Sequence, residues 1–65
     1  MDAAAKGERY ARLLRKAGTF IGKGNIARAI EVLKEGRELA QSLGDSGMAR
    51  RFADEIERVS RPPSS

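Results

Sequence analysis

Hydrophobic positions along the chain recur every three or four residues in three successive stretches, which is the spacing of amphipathic α-helices. The central stretch lies between Asn25, a residue type that caps helix N-termini, and Gly44, a residue type that ends helices. Its apolar and small positions are Ile26, Ala29, Ile30, Val32, Leu33, Gly36, Leu39, Ala40 and Leu43. Because these positions cover nearly two faces of the central helix, we expect other helices to pack against it on both sides.

The pattern predicts an all-α domain: an antiparallel three-helix arrangement in which a helix-turn-helix hairpin is followed by a capping helix. Two short glycine-containing connections, 22–25 and 44–47, force neighbouring helices to run antiparallel. The domain is predicted to span residues 1–60, with helices at about residues 8–22, 25–43 and 48–60. Ala3, Ala4 and Ala5 favour a helix that Asp2 could cap, but Gly7 weakens this start, so we expect ordered helix from near Glu8.

The first helix carries two adjacent apolar stripes. One is expected to pack against the central helix and consists of Tyr10, Leu13, Ala17 and Phe20. The other has no obvious cover within the chain and consists of Ala11, Leu14, Gly18 and Ile21. Glycine inside a helix costs about 1 kcal/mol relative to alanine, which favours a close contact at Gly18. We predict that this second stripe, with Arg15, binds a partner; the alternative is that the third helix or residues 1–7 cover it.

The third helix has a single narrow apolar stripe on an otherwise charged surface, as is typical of a terminal capping helix. The stripe consists of Met48, Phe52, Ile56 and Val59. We expect it to close the second flank of the central helix around Gly36. The C-terminal residues, 61–65, include two prolines and are predicted to form a disordered tail.

Between Tyr10 and Leu43 the chain resembles a tetratricopeptide repeat, a helical hairpin of about 34 residues. The small and large positions that carry the resemblance are Leu13, Ala17, Phe20, Gly24, Asn25, Ala29, Leu33 and Gly36. About one and a half repeats are present; Lys16 stands where the family prefers Leu, and the family's terminal proline is absent. The resemblance implies protein–protein interaction through a groove lined by the stripe that includes Leu14 and Gly18. The family's clamp for acidic C-termini uses Lys and Asn on that face, which these two residues do not match.

Length and composition limit the possible functions. A chain of 65 residues allows one domain that buries only about 60% of its unfolded surface, so an isolated monomer is expected to be marginally stable. Association, as a homodimer or with another protein, would supply the missing burial. No cysteine or histidine is present, which excludes disulfides and Cys/His zinc sites. With no signal-like or membrane-spanning apolar run, we expect a cytoplasmic protein.

The net charge of +4 leaves nucleic-acid binding as the alternative function. The candidate phosphate-binding residues lie on the first helix and are Lys6, Arg9, Arg12, Arg15 and Lys16. Glu8 is placed to pair with Arg12, and few aromatic residues are available for base stacking. The serines have no histidine partner and no two carboxylates are predicted to share a cleft, so we expect no enzyme activity, no cofactor and no metal.

Overall fold

The computed structural model describes residues 3–61, with side chains from Ala5 onward. This part of the chain forms three helices: α1 (Ala3–Gly22), α2 (Ile26–Ser42) and α3 (Ser46–Ser60). Three-residue connections, 23–25 and 43–45, join them, and α1 and α3 each pack against α2. The predicted all-α three-helix arrangement is confirmed. The predicted disordered tail lies, apart from Arg61, outside the described residues.

The two connections have the same backbone design. In each, a glycine adopts a left-handed conformation, with φ of 77° at Gly24 and 70° at Gly44. The next residue donates its backbone N–H to the last turn of the preceding helix, Asn25 to the Phe20 carbonyl and Asp45 to the Ala40 carbonyl, both at 2.8 Å. This is the hydrogen bonding of a Schellman motif. Each connection therefore ends one helix and positions the residue that starts the next.

That next residue is the N-cap of the following helix. The Asn25 side-chain oxygen accepts the Arg28 backbone N–H at 3.3 Å, and the Asp45 carboxylate accepts the Met48 backbone N–H at 3.1 Å. Both side chains satisfy donors that the first turn of a helix cannot pair internally. The cap predicted at Asn25 is confirmed.

The helix bounds differ from the prediction mainly at α1, which begins at Ala3 rather than near Glu8. The alanines that precede Gly7 favour helix, and the early turns of α1 also have a tertiary contact. The Lys6 ammonium lies 3.5 Å from the Asp45 carboxylate, in the connection between α2 and α3. The ion pair predicted between Glu8 and Arg12 is not among the four that the described side chains form.

Phe52 lies at the centre of the core and links all three helices. Its side chain is fully buried, and its ring lies against the α2 backbone at Gly36, where a built Cβ atom would be only 2.6 Å from the ring Cδ1 atom. On its other side it meets the Tyr10 ring of α1 edge-on, with centroids 5.9 Å apart. The expected closure of the second α2 flank around Gly36 is therefore found, and Phe52 provides its central contact.

Apart from Phe52, the core contains few large side chains that are fully buried. Its buried hydrophobic residues are Tyr10, Ala17, Ala29, Val32, Leu33, Ala40 and Phe52. Three of these seven residues are alanines, and Phe52 and Leu33 are the largest side chains that are fully enclosed. The remaining large apolar residues, including Leu13, Leu14 and Phe20, pack around this cluster while partly exposed. The close approach of the helices thus depends on small residues that bury little surface.

Candidate interaction surfaces

The predicted partner-binding stripe of α1 is neither sealed within the chain nor fully bare. Leu14 is half-buried and packs against the core, and Ala11 is also partly covered. Ile21, at the last turn of α1, is 39% exposed. The two ends of the stripe therefore differ in exposure: the end at Ala11 is partly covered, and the end at Ile21, next to the connection to α2, is exposed.

Gly18 lies between these residues and faces open space. A Cβ atom built on it would have no neighbour within 4 Å beyond its own helix. The close contact expected at this glycine is thus not made within the described part of the chain. Arg15, on the same helix, is exposed, and its carbonyl accepts the Thr19 hydroxyl at 3.1 Å.

The stripe stays open because α3 approaches α1 through side chains alone. No Cα atom of α3 comes within 8 Å of an α1 Cα atom in the described residues. The rings of Tyr10 and Phe52 bridge the two helices, and no atom from outside α1 lies within 4 Å of a Cβ atom built on Gly18. We call this face, formed by Ala11, Leu14, Gly18 and Ile21, the α1 groove.

A small polar cluster fixes the opposite end of α1. The Asp45 carboxylate caps α3 and pairs with Lys6. The Met48 backbone N–H and the Lys6 ammonium lower the pKa of Asp45, although desolvation acts against them. The Tyr10 hydroxyl is buried beside the Asp45 carboxylate without a hydrogen bond of 3.5 Å or less, and desolvation, the Asp45 charge and the interaction of the two side chains raise its pKa. This cluster attaches α1 to the connection between α2 and α3.

Three of the five candidate phosphate-binding residues line one cleft. Lys6 is paired with Asp45, and Arg15 lies outside the surface that the others share. Arg9, Arg12 and Lys16 line one cleft between α1 and α2. We call it the basic cleft; its other lining residues are Leu13, Leu39 and Glu35. The sequence predicted the cations but not the cleft, because Glu35 and Leu39 join them only through the packing of α2 on α1.

Two further apolar side chains are exposed outside the α1 groove. Ile26 begins α2 and is 37% exposed, and Leu43 caps the C-terminus of α2 and is 40% exposed. Helical periodicity placed both in the broad apolar surface of the central helix. They are exposed because they lie at the ends of α2, where the neighbouring helices no longer cover them.

Within the described residues, no group of three or more acidic, histidine or cysteine side chains is arranged to hold a metal ion. None of the three helices combines the length and apolar character needed to cross a bilayer. Comparison of the chain with models of protein families, with curated proteins and with solved structures gives no match. The surfaces themselves are therefore the basis for inferring a function.

Proposed function

We propose that this domain is a non-catalytic protein–protein interaction or oligomerisation module of the cytoplasm, in which the α1 groove is covered by a second copy of the chain or by another protein. The observation that carries the proposal is the open apolar face at Gly18 and Ile21. When the apolar face of a helix is wider than the part that neighbouring helices cover, the uncovered part can bind a further helix. The tetratricopeptide-like pattern of the hairpin supports the same function.

Because the core encloses few large side chains, burial of further apolar surface on association would add appreciably to the stability of the folded state. Completing the burial of a partly exposed Ile or Leu side chain contributes a fraction of the roughly 1.5–3 kcal/mol that full burial provides. Small domains have only a few kcal/mol of net stability, so covering Ile21 and Leu14 would change the folded population appreciably. Gly18 would let a partner helix approach closely, since nothing in the chain occupies that space.

Sedimentation equilibrium over a wide range of protein concentration tests the proposal, with a second copy as the first occupant to examine. Ile21→Glu should shift the equilibrium to monomer while far-UV circular dichroism stays unchanged, because Ile21 contributes little to the core. Leu43→Glu is the matched control: the two side chains are 39% and 40% exposed, and Leu43 lies at the far end of α2 from the connection next to Ile21. Leu14→Glu is less informative, because Leu14 also packs against the core.

Two results would contradict self-association through the α1 groove. One is a monomer at every concentration with a high melting temperature, since such a chain needs no further burial. The other is equal loss of assembly in Ile21→Glu and Leu43→Glu, which would show that general acidification, not the groove, is responsible.

The alternative proposal, nucleic-acid binding, is favoured only by the meeting of Arg9, Arg12 and Lys16 at the basic cleft. Phosphate contacts would give affinity that falls steeply with salt, whereas an apolar interface responds weakly. A titration with labelled oligonucleotides across a salt series separates these two functions.

A further inference from the structure

The basic cleft lies on the side of α1 away from the α1 groove. Arg12 and Leu14, like Lys16 and Gly18, are two positions apart, which corresponds to about 200° around a helix. One member of each pair lines the cleft and the other belongs to the groove. The two surfaces can therefore be occupied independently, so binding at the cleft does not depend on the function proposed for the groove.

The net positive charge of the protein lies on α1, the helix that forms one wall of this cleft. Helix α1 carries five Lys and Arg side chains and one Glu, whereas α2 and α3 each carry three cations and three acids. The excess on α1 equals the net charge of +4 of the whole chain. None of the ion pairs among the described side chains uses Arg9, Arg12 or Lys16. Three unpaired cations therefore surround one depression.

The floor of the cleft is apolar. Leu13 of α1 and Leu39 of α2 line it, and both pack against the core while remaining partly exposed. The cleft has a volume of about 250 Å³. That is below the roughly 300–1,000 Å³ of pockets that enclose a whole small-molecule ligand. A volume of this size accommodates an anchoring side chain of a larger partner.

We propose that the basic cleft binds an acidic segment of another protein, with an apolar side chain on Leu13 and Leu39 and carboxylates beside Arg9, Arg12 and Lys16. Charge complementarity excludes a second copy as the preferred occupant, because no helix of this chain has an excess of acidic residues. Nucleic acid fits less well. The lining of the cleft includes no aromatic side chain on which a base could stack, and Lys6, which could extend a phosphate track, is paired with Asp45.

Fluorescence anisotropy with three labelled probes tests the proposal. The first is a glutamate-rich peptide with two central leucines and an amidated C-terminus, the second has serines in place of the leucines, and the third is a single-stranded oligonucleotide of equal net charge. The leucine peptide should bind saturably, the serine peptide about tenfold or more weakly, and the oligonucleotide more weakly than the leucine peptide.

Charge-reversal variants locate the binding site. Arg12→Glu and Lys16→Glu should each weaken binding of the leucine peptide about tenfold or more, because each replaces an attraction with a repulsion. Glu35→Gln should strengthen binding, since it removes the acidic residue of the rim. Arg50→Glu is the matched control: Arg50 is exposed on α3, outside the cleft and without an ion pair, and the same change of charge there should alter affinity less than twofold.

NMR methyl shifts of Leu13 and Leu39 on addition of the leucine peptide provide a local readout, and both should move. The proposal is overturned if no probe binds saturably, or if the leucine and serine peptides bind equally. It is also overturned if Arg50→Glu weakens binding as much as Arg12→Glu. Tighter binding of the oligonucleotide would assign the cleft to nucleic acid instead.

Discussion

Gly36→Ala is the substitution for which the structure and helix propensity predict opposite outcomes. Gly36 lies in the interior of α2, where alanine is favoured over glycine by about 1 kcal/mol. In the folded protein, however, the added methyl group would overlap three atoms of the Phe52 ring, Cδ1, Cε1 and Cζ. The sign of the stability change therefore depends on whether the ring can move away.

The packing around Phe52 indicates that it cannot move freely. The side chain is fully buried, with the Tyr10 ring on its far side, so moving it disturbs α1 as well as α3. Inserting a methyl group into a well-packed core typically costs about 1–3 kcal/mol, occasionally more, and three overlapping atoms point to the upper part of that range. Subtracting the gain in helix propensity leaves a net destabilisation of about 1–2 kcal/mol.

Thermal unfolding followed by far-UV circular dichroism measures this difference. In a domain of this size, 1 kcal/mol corresponds to a change of roughly 4–8 °C in Tm. Gly18→Ala is the matched control, since Gly18 lies inside α1 with open space at its Cβ position, and it should raise Tm under dilute, monomeric conditions. The smaller side chain of Phe52→Leu should partly rescue Gly36→Ala in the double variant. If Gly36→Ala raises Tm as Gly18→Ala does, the Phe52 ring does not lie against the α2 backbone.

Three further substitutions test other parts of the fold. Leu33→Glu should abolish folding, measured as loss of helical circular dichroism, because it places a charge at a fully buried core position. Tyr10→Phe should change Tm little, because the buried hydroxyl that it removes has no hydrogen bond of 3.5 Å or less but does interact with the Asp45 carboxylate. The lowered pKa of Asp45 stabilises the folded state above the ordinary value near 3.8, and this stabilisation is lost as the pH falls through the folded-state pKa. Asp45→Asn keeps a capping side chain without the charge, so its Tm should fall less on acidification, in scans at pH 7 and about pH 3.

The features that could be predicted correctly from the sequence are those that depend on local chemistry. Gly24 with Asn25 ends one helix and starts the next through backbone hydrogen bonds that involve only nearby residues. Gly44 with Asp45 has the same hydrogen bonding, although the sequence leaves the cap of α3 open between Asp45 and Ser46. Periodicity also identified Phe52 and Gly36 as neighbours, because each lies at the centre of the apolar stripe of its helix. Turn chemistry and periodicity together were sufficient for the three-helix arrangement.

The features that could not be predicted from the sequence depend on the axial position of one helix against another. Periodicity does not specify how closely α3 approaches α1, where the side chains of Tyr10 and Phe52 meet, and so it does not predict how far Leu14 is covered. The basic cleft similarly requires Glu35 to lie opposite the α1 cations, and hydrophobic periodicity does not specify that register. Exposed ion pairs are unpredictable for another reason. Pairs at i,i+3 and i,i+4 differ by a few tenths of a kcal/mol at most, so helical spacing alone does not select among them.

If a second copy covers the α1 groove, association is linked to folding, because the core of this chain has small residues at its helix contacts and encloses few large side chains. Gly36 lets the Phe52 ring contact the α2 backbone. Phe52 and Leu33 are the largest side chains that are fully buried. Completing the burial of Leu14 and Ile21 would then contribute about 1–2 kcal/mol, a sizeable fraction of the few kcal/mol of net stability expected for a domain of this size. A ligand that binds the folded state alone stabilises it by RT ln(1 + [L]/Kd), so Tm should rise with protein concentration if a second copy covers the α1 groove. Ile21→Glu should remove that dependence, whereas Leu43→Glu should preserve it, because only Ile21 belongs to the groove.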